Sequence, residues 1–211
     1  PDPRVRAAAA EGTGRCRLAT AGELAAALER ETDPATARAI IRALGTEGSA
    51  AAVDALEREL QSDDPAIRFE TVRALGCTGA PEAFTPLVDA LSDPDRGVRT
   101  VALAALGELG DARAEDPIGR HIHDPDRDRR RVAATAMERP STSESGRRFE
   151  DALRDPDREV RLVAVNALGR LRPPAAHDAL ERVAAEDEDP LVRRAAASMA
   201  ARLQDRSAED S

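Results

Sequence analysis

The sequence predicts an all-α fold: a right-handed α-α superhelix, or solenoid, of about six and a half helical hairpins with a period of 31 residues. Three observations point there. A helix-closing glycine or its equivalent recurs at Gly14, Gly45, Gly76, Gly107, Glu138 and Gly169. An apolar-Arg pair precedes it at Val5-Arg6, Ile67-Arg68, Val98-Arg99 and Val160-Arg161, the arginine eight residues ahead of the glycine each time. An Asp-Pro pair opens the same helix at Asp33-Pro34, Asp64-Pro65, Asp93-Pro94, Asp124-Pro125, Asp155-Pro156 and, after a one-residue insertion, Asp189-Pro190. A fixed period of this size makes each unit one supersecondary element that buries its apolar face only against its neighbours, which gives an extended surface rather than a pocket.

The elements follow in order. The chain opens inside the second helix of a hairpin, carrying Val5-Arg6 and closing at Gly14. First helices are then marked by apolar residues at helical spacing: Leu24 and Leu28; Leu56 and Leu60; Phe84, Leu87 and Leu91; Ile118 and Ile122; Phe149 and Leu153; Leu180 and Val183. Each is followed by a second helix that starts at an Asp-Pro. Asp caps the free amides and favours the positive end of the dipole, and Pro fits the first turn, where its missing donor costs nothing. Within such a helix Val98, Val101, Ala102, Ala105 and Leu106 repeat at helical spacing, and Gly107 is expected to stop it in the left-handed conformation. The repeats are expected to form one domain over 1–203, followed by a polar, disordered tail over 204–211. The segment Glu138 to Ser145, with Pro140 and several hydroxyl residues, departs from the pattern and predicts a mobile surface loop.

Composition narrows the function. Hydrophobic residues make up 41% but aromatics only 1%, so the core must be built from Ala, Leu, Val and Ile, and Phe69, Phe84 and Phe149 are the only large rings. That leaves no base-stacking platform. The net charge is -9 and every basic residue is Arg. An acidic, Ala-rich, Lys-free chain suits a GC-rich, salt-adapted organism such as a halophilic archaeon, where surface self-repulsion is screened. Cys16 and Cys77 fall two repeats apart, and stacked helices about 10 Å apart put these sulfurs too far from one another to bridge. Reduced thiols, with no signal peptide and no long apolar run, predict a cytoplasmic protein without membrane insertion. The opening in mid-repeat, on Asp2-Pro3-Arg4-Val5-Arg6, reads as a fragment or processed form of a longer solenoid, and the expected assembly is a monomer or part of such a solenoid.

The run from Leu91 to Arg99, followed by Ala-Ala-Leu-Gly, resembles a short HEAT repeat, most closely the HEAT-like repeats of phycobilisome bilin lyases. Pro86 and Pro117 inside first helices resemble the HEAT kink. The resemblance implies an inter-repeat ladder, with acidic rungs at Glu31, Asp93, Asp124, Asp155 and Asp187 and basic rungs at Arg6, Arg68, Arg99, Arg130, Arg161 and Arg193. Ser62 and Ala37 depart from it, and Arg38 stands next to the second gap. The ladder is structural: an Arg fork satisfies carboxylates and turn carbonyls without any ligand.

Chemistry finds little support. His121 and His123 with Asp126 could supply metal ligands, but a polar helix end running into a cap explains them, and His177 sits at a different position in its repeat. No His-Glu pair of the deoxyhypusine hydroxylase kind exists. No catalytic, metal or cofactor site is assigned. The reading is a non-catalytic protein-protein interaction scaffold that binds a segment of an unidentified protein partner along its concave surface, with a bilin-lyase-like enzyme or enzyme subunit as the alternative. Charge and the lack of aromatics argue against nucleic acid, although Arg127, Arg129, Arg130 and Arg131 cluster.

By the HEAT resemblance the second helices line the concave side. Helical geometry then turns Arg38, Ile41, Arg42, Phe69, Val72, Arg73, Leu103, Arg131, Leu162, Val165 and Arg194 toward the partner, as an apolar stripe edged by arginines.

Overall fold

The computed structural model describes residues 2–16, 19–140 and 145–209, with side chains 14–16 and 205–209 outside the description. These residues form thirteen α-helices and three short 3-10 turns, with no strand among them. They fall into two compact units, Pro1–Ala114 and Glu115–Ser211, where the sequence predicts one domain over 1–203. The boundary lies between a 3-10 turn at Ala112–Ala114 and the shortest α-helix among the described residues, Glu115–Gly119.

The first unit holds α1 (Pro3–Cys16), α2 (Ala21–Leu28), α3 (Pro34–Glu47), α4 (Ala50–Glu59), α5 (Pro65–Thr78), α6 (Phe84–Asp89) and α7 (Arg96–Leu109). The hairpins are α2–α3, α4–α5 and α6–α7, with α1 the second helix of a half-repeat. α1, α3, α5 and α7 pack in sequence on one another, and α2, α4 and α6 lie against them as a second layer. The second unit repeats the arrangement with α8 (Glu115–Gly119), α9 (Arg127–Ala136), α10 (Gly146–Ala152), α11 (Arg158–Leu171), α12 (Ala176–Glu186) and α13 (Pro190–Glu209). There α9 packs on α11 and α11 on α13. Of the marks of the first helices, Leu24, Leu28, Leu56, Leu87, Ile118, Ile122, Phe149, Leu153 and Leu180 are buried, and Leu60, Phe84, Leu91 and Val183 are half-buried. Each buried one stabilises its hairpin by about 1.5–3 kcal/mol through area removed from water.

Helix starts differ from the expected Asp-Pro rule in an informative way. Asp33, Asp64 and Asp189 cap α3, α5 and α13 with Pro as the next residue: their carboxylates accept from Thr36, Ala66 and Leu191 N–H at 2.8 Å. In the three Asp-Pro-Asp-Arg turns the cap moves two residues on. Asp95, Asp126 and Asp157 cap α7, α9 and α11. The Asp ahead of Pro is then free for another task.

Helix ends differ too. Gly45, Gly76 and Gly107 lie inside their helices, and the left-handed stop comes three residues later at Gly48, Gly79 and Gly110, with φ of 74°, 66° and 69°. Arg172 takes the equivalent place after Gly169, with φ 52°. The repeat glycine serves packing. A Cβ on Gly45 would stand 2.7 Å from the Ala74 carbonyl oxygen, and one on Gly76 would stand 2.7 Å from the Ala105 Cβ. Neighbouring second helices therefore touch backbone to backbone at this position, closer than any side chain would allow.

Pro86 and Pro117 are each the third residue of a short helix, α6 and α8, where the amide would have no intrahelical partner. They sit in first turns rather than at a kink in a longer helix. At the C-terminus, α13 continues to Glu209, so the backbone is helical into the segment expected to be a disordered tail. The run from Ala200 to Gln204 is made of good helix formers and holds no Gly or Pro to stop it. Of the predicted loop, residues 141–144 lie outside the described residues, and Pro140 and Ser145 at its ends are buried.

Candidate partner-binding surface

Each second helix turns three rows of side chains away from the first-helix layer. The middle row contains Ile41, Val72, Leu103 and Val165, and all four are 0% exposed. This corrects the expected apolar stripe. In the first unit the close approach at Gly45 and Gly76 draws adjacent second helices together around Ile41, Val72 and Leu103. No partner reaches these four residues.

The outer rows remain open. Phe69 is 39% exposed, Arg73, Arg131 and Arg194 are exposed, and Arg38, Arg42 and Leu162 are half-buried. In the first unit the Phe69 ring reaches over the start of α7, where Gly97 leaves the backbone bare: Cδ2 lies 3.8 Å from the position a Gly97 Cβ would take. Beside it runs an ion-pair chain across α1, α3 and α5. Arg42 Nη2 donates to Glu11 at 2.6 Å, Arg42 Nη1 donates to the buried Glu70 at 3.4 Å, and Arg73 pairs with Glu70 as well. The Glu70 hydrogen bond raises the Arg73 pKa. The Cys77 thiol, free of any disulfide, lies 3.8 Å from Glu108, and burial first and that carboxylate second push its pKa up, so it is a poor nucleophile.

In the second unit α9 and α11 meet over one carboxylate. Asp157, whose side chain is 2% exposed, accepts from Arg127 Nε and lies 3.9 Å from Arg131 Nε, while its other oxygen caps α11. The Arg127 hydrogen bond holds Asp157 below its ordinary range. Two guanidiniums thus share one buried negative charge. Arg158 on α11 reaches Asp189 of the next hairpin at 3.5 Å in the same way. This second ladder was missed in the sequence, although its signal is there: Asp-Pro-Asp-Arg at 93–96, 124–127 and 155–158.

The first ladder forms at four of the five rungs that the family resemblance implied; among the described residues the rung of Arg99 with Asp124 does not form, because Asp124 is taken by Arg129 at 2.9 Å and Arg99 donates only to the carbonyls of Asp93 and Pro94. Arg6 pairs with Glu31 at 2.7 Å, Arg68 with Asp93 at 2.8 Å, Arg130 with Asp155 at 2.8 Å and Arg161 with Asp187 at 2.9 Å. In the last three, Nη1 also donates to the carbonyls of the turn five and six residues back, as Arg161 does to Asp155 at 2.9 Å and Pro156 at 3.3 Å. The acidic partner accepts the N–H two residues on, as Asp155 does from Asp157 at 2.7 Å. At Asp93 and Asp155 the Asp displaced from capping is therefore the rung, whereas Asp124 is held by Arg129 of its own hairpin. Hydrogen bonds from Arg6 and then from the Asp33 amide lower the Glu31 pKa to about 2. Arg38 has no ion-pair partner among the described residues, so it does not stand in for the rung lost at Ala37.

The histidines do not converge. His121 Nδ1 lies 3.3 Å from Asp124 and 3.0 Å from Arg129 Nη2, while His123 is exposed and Asp126 is spent on the α9 cap. His177, Asp178 and Glu181 lie close enough on α12 to offer three ligand atoms. However, Nδ1 faces Asp178 at 3.6 Å and Nε2 faces Glu181 at 3.9 Å. Asp178 and Glu181 are exposed side chains one and four residues along the same helix, a neighbourhood that helix surfaces commonly present without an ion. No helix among the described residues is long and apolar enough to cross a membrane.

Comparisons with known proteins agree with this architecture. The chain is 24% identical to a chain of the complex of CpcE and CpcF of phycocyanin lyase from Nostoc sp. PCC7120, with a TM-score of 0.62 over 84% of this chain and 74% of that one. It is 17% identical to a designed armadillo repeat protein in complex with the peptide (KR)4, with a TM-score of 0.62 over 86% of this chain and 98% of that one. It is 15% identical to the archaeal HEAT-like repeats protein from Thermococcus onnurineus NA1, with a TM-score of 0.57 over 95% and 96%. These likenesses carry the fold alone. A sequence search of curated proteins finds no match. The family model for HEAT repeats matches residues 1–65, 57–138 and 147–210, and with the helical hairpins and the Arg–carboxylate ladder it establishes that the chain belongs to the HEAT repeat family.

Proposed function

We propose that the chain is a non-catalytic scaffold that binds a segment of another protein on the open face of its second helices. The observation that carries the reading is the outer row itself. Phe69 with Arg38 and Arg73 in the first unit, and Leu162 with Arg131 and Arg194 in the second, stand at least partly exposed on closely packed helices. A rigid frame presenting an apolar anchor beside arginines is the chemistry of a protein interface. The peptide complex of the designed armadillo relative supports it as an analogy of fold. A reducing, cytoplasmic setting fits the free Cys77, and a salt-adapted one fits the net charge of -9.

Photo-crosslinking from position 69 in cells, followed by capture, tests the reading. A discrete crosslinked protein, lost in Phe69→Asp with thermal unfolding unchanged, is the expected result. Absence of any partner at positions 69 and 162, together with a tetrapyrrole absorption band on incubation with a bilin, would replace it with the lyase reading suggested by the fold of the phycocyanin lyase chain.

A further inference from the structure

Positions 131, 162 and 194 occupy the same place in three successive repeats, on α9, α11 and α13 of the second unit. The row reads Arg, Leu, Arg. Arg131 and Arg194 are exposed and Leu162 is half-buried between them, with Leu191, 46% exposed, one turn away on α13. Its electrostatics are unbalanced. Arg131 shares the Asp157 carboxylate with Arg127, which sits nearer to it, and Arg194 has no ion-pair partner among the described residues. On a chain of net charge -9, Arg194 thus keeps a positive charge that no ion pair among the described residues neutralises, and Arg131 has only a distant share of one carboxylate.

We propose, building on the scaffold reading, that this row selects an extended protein segment bearing an apolar side chain with a carboxylate about three residues away on either side. The spacing follows from the frame. Packed helices lie about 8–10 Å apart, and an extended chain advances about 3.3 Å per residue, so roughly three residues span one helix to the next. The apolar side chain rests on Leu162 and Leu191, and the flanking carboxylates meet Arg131 and Arg194 through charge-assisted hydrogen bonds. Nucleic acid fits the row less well. A continuous phosphate backbone would also run beside Asp128 and Glu159, which alternate with the arginines, and no aromatic ring on these three helices is placed to stack a base.

The test uses the full chain, at the lowest salt that keeps its far-ultraviolet helical signal, and fluorescein-labelled seven-residue probes read by anisotropy. The first probe has Glu at both ends, Leu in the centre and Ser or Thr elsewhere. The second carries Lys in place of Glu, the third Ser in place of Leu, and the fourth is a single-stranded oligonucleotide. The first probe is expected to bind best, to weaken as salt rises, and to lose about fivefold in affinity for each arginine removed by Arg131→Gln or Arg194→Gln. Arg194→Glu, which breaks no pair in the fold, is expected to turn the preference toward the Lys probe. Equal binding of the Glu and Lys probes, or a preference unmoved by Arg194→Glu, overturns the acidic selectivity. So does tighter binding of the oligonucleotide. The scaffold reading is judged separately, by crosslinking from position 69 in the first unit.

Discussion

Replacing Gly76 with alanine tests the account of how these repeats stack. In an isolated helix the change would stabilise by about 1 kcal/mol, because glycine loses more backbone freedom on folding. Here the new Cβ would stand 2.7 Å from the Ala105 Cβ, 2.8 Å from its Cα and 3.1 Å from its carbonyl oxygen. Carbon atoms that touch prefer about 3.5–4.0 Å, so α5 and α7 must move apart, and overpacking of this kind costs about 1–3 kcal/mol. The clash should outweigh the gain and leave Gly76→Ala destabilised by about 1 kcal/mol, seen as a lower denaturant midpoint with an unchanged slope. Gly12→Ala on α1 is the matched control, since nothing lies within 4 Å of the added methyl. It should gain up to about 1 kcal/mol. Adding Ala105→Gly to Gly76→Ala should rescue only part of the loss, because the backbone of residue 105 would still crowd the new methyl at 2.8 Å. If Gly76→Ala matched or exceeded the parent in stability, the close backbone approach between second helices would not be what holds this position to glycine.

Four further outcomes follow from the same structure. Thr71 is fully buried with a hydroxyl that has no hydrogen-bond partner, so Thr71→Val should stabilise the chain by about 1 kcal/mol in chemical unfolding. Asp187→Ala should cost about 2–3 kcal/mol, because it strands Arg161, whose side chain is 6% exposed, with only carbonyls and Glu188 to serve it. Glu31 titrates near 2 in the folded chain, and Asp93 is also held below its ordinary value by Arg68, so both contribute stability above about pH 4.3. The Glu31 contribution is lost as pH falls toward about 2, and Glu31→Gln should flatten the acid limb of a stability-pH curve. A chain of net charge -9 should gain stability from dilute buffer to molar salt, where the Debye length shrinks to about 3 Å, and a melting temperature indifferent to salt would remove the salt-adapted reading.

Different features were legible in the sequence to different degrees. The ladder at Arg68 and Asp93 follows from the HEAT resemblance, and a separation of 25 residues accompanies it at Arg6, Arg68 and Arg130; Arg99 and Asp124 keep that separation without pairing, so spacing alone does not make a rung. The capping role was only half readable. In Asp93-Pro94-Asp95 either carboxylate could cap, and the choice is made by Arg68 arriving from the previous hairpin to claim the first of them. The repeat glycine looked like a stop, since a residue that tolerates positive φ and one that tolerates close approach are the same letter. Only the neighbour at Ala74 or Ala105 distinguishes the two uses. The apolar row at Ile41, Val72, Leu103 and Val165 looked like a binding stripe for the same reason: the periodicity places a side chain on a face but says nothing about how near the next helix stands.

The amino-acid order by itself determined the helices, their pairing into hairpins and the period, because each depends on interactions within one repeat or at a fixed offset to the next. The tertiary structure alone decided which outward residues stay accessible. Exposure depends on interhelical distance, which in the first unit Gly45 and Gly76 shorten until Ile41, Val72 and Leu103 are sealed, leaving Phe69 and the arginines around it open to solvent.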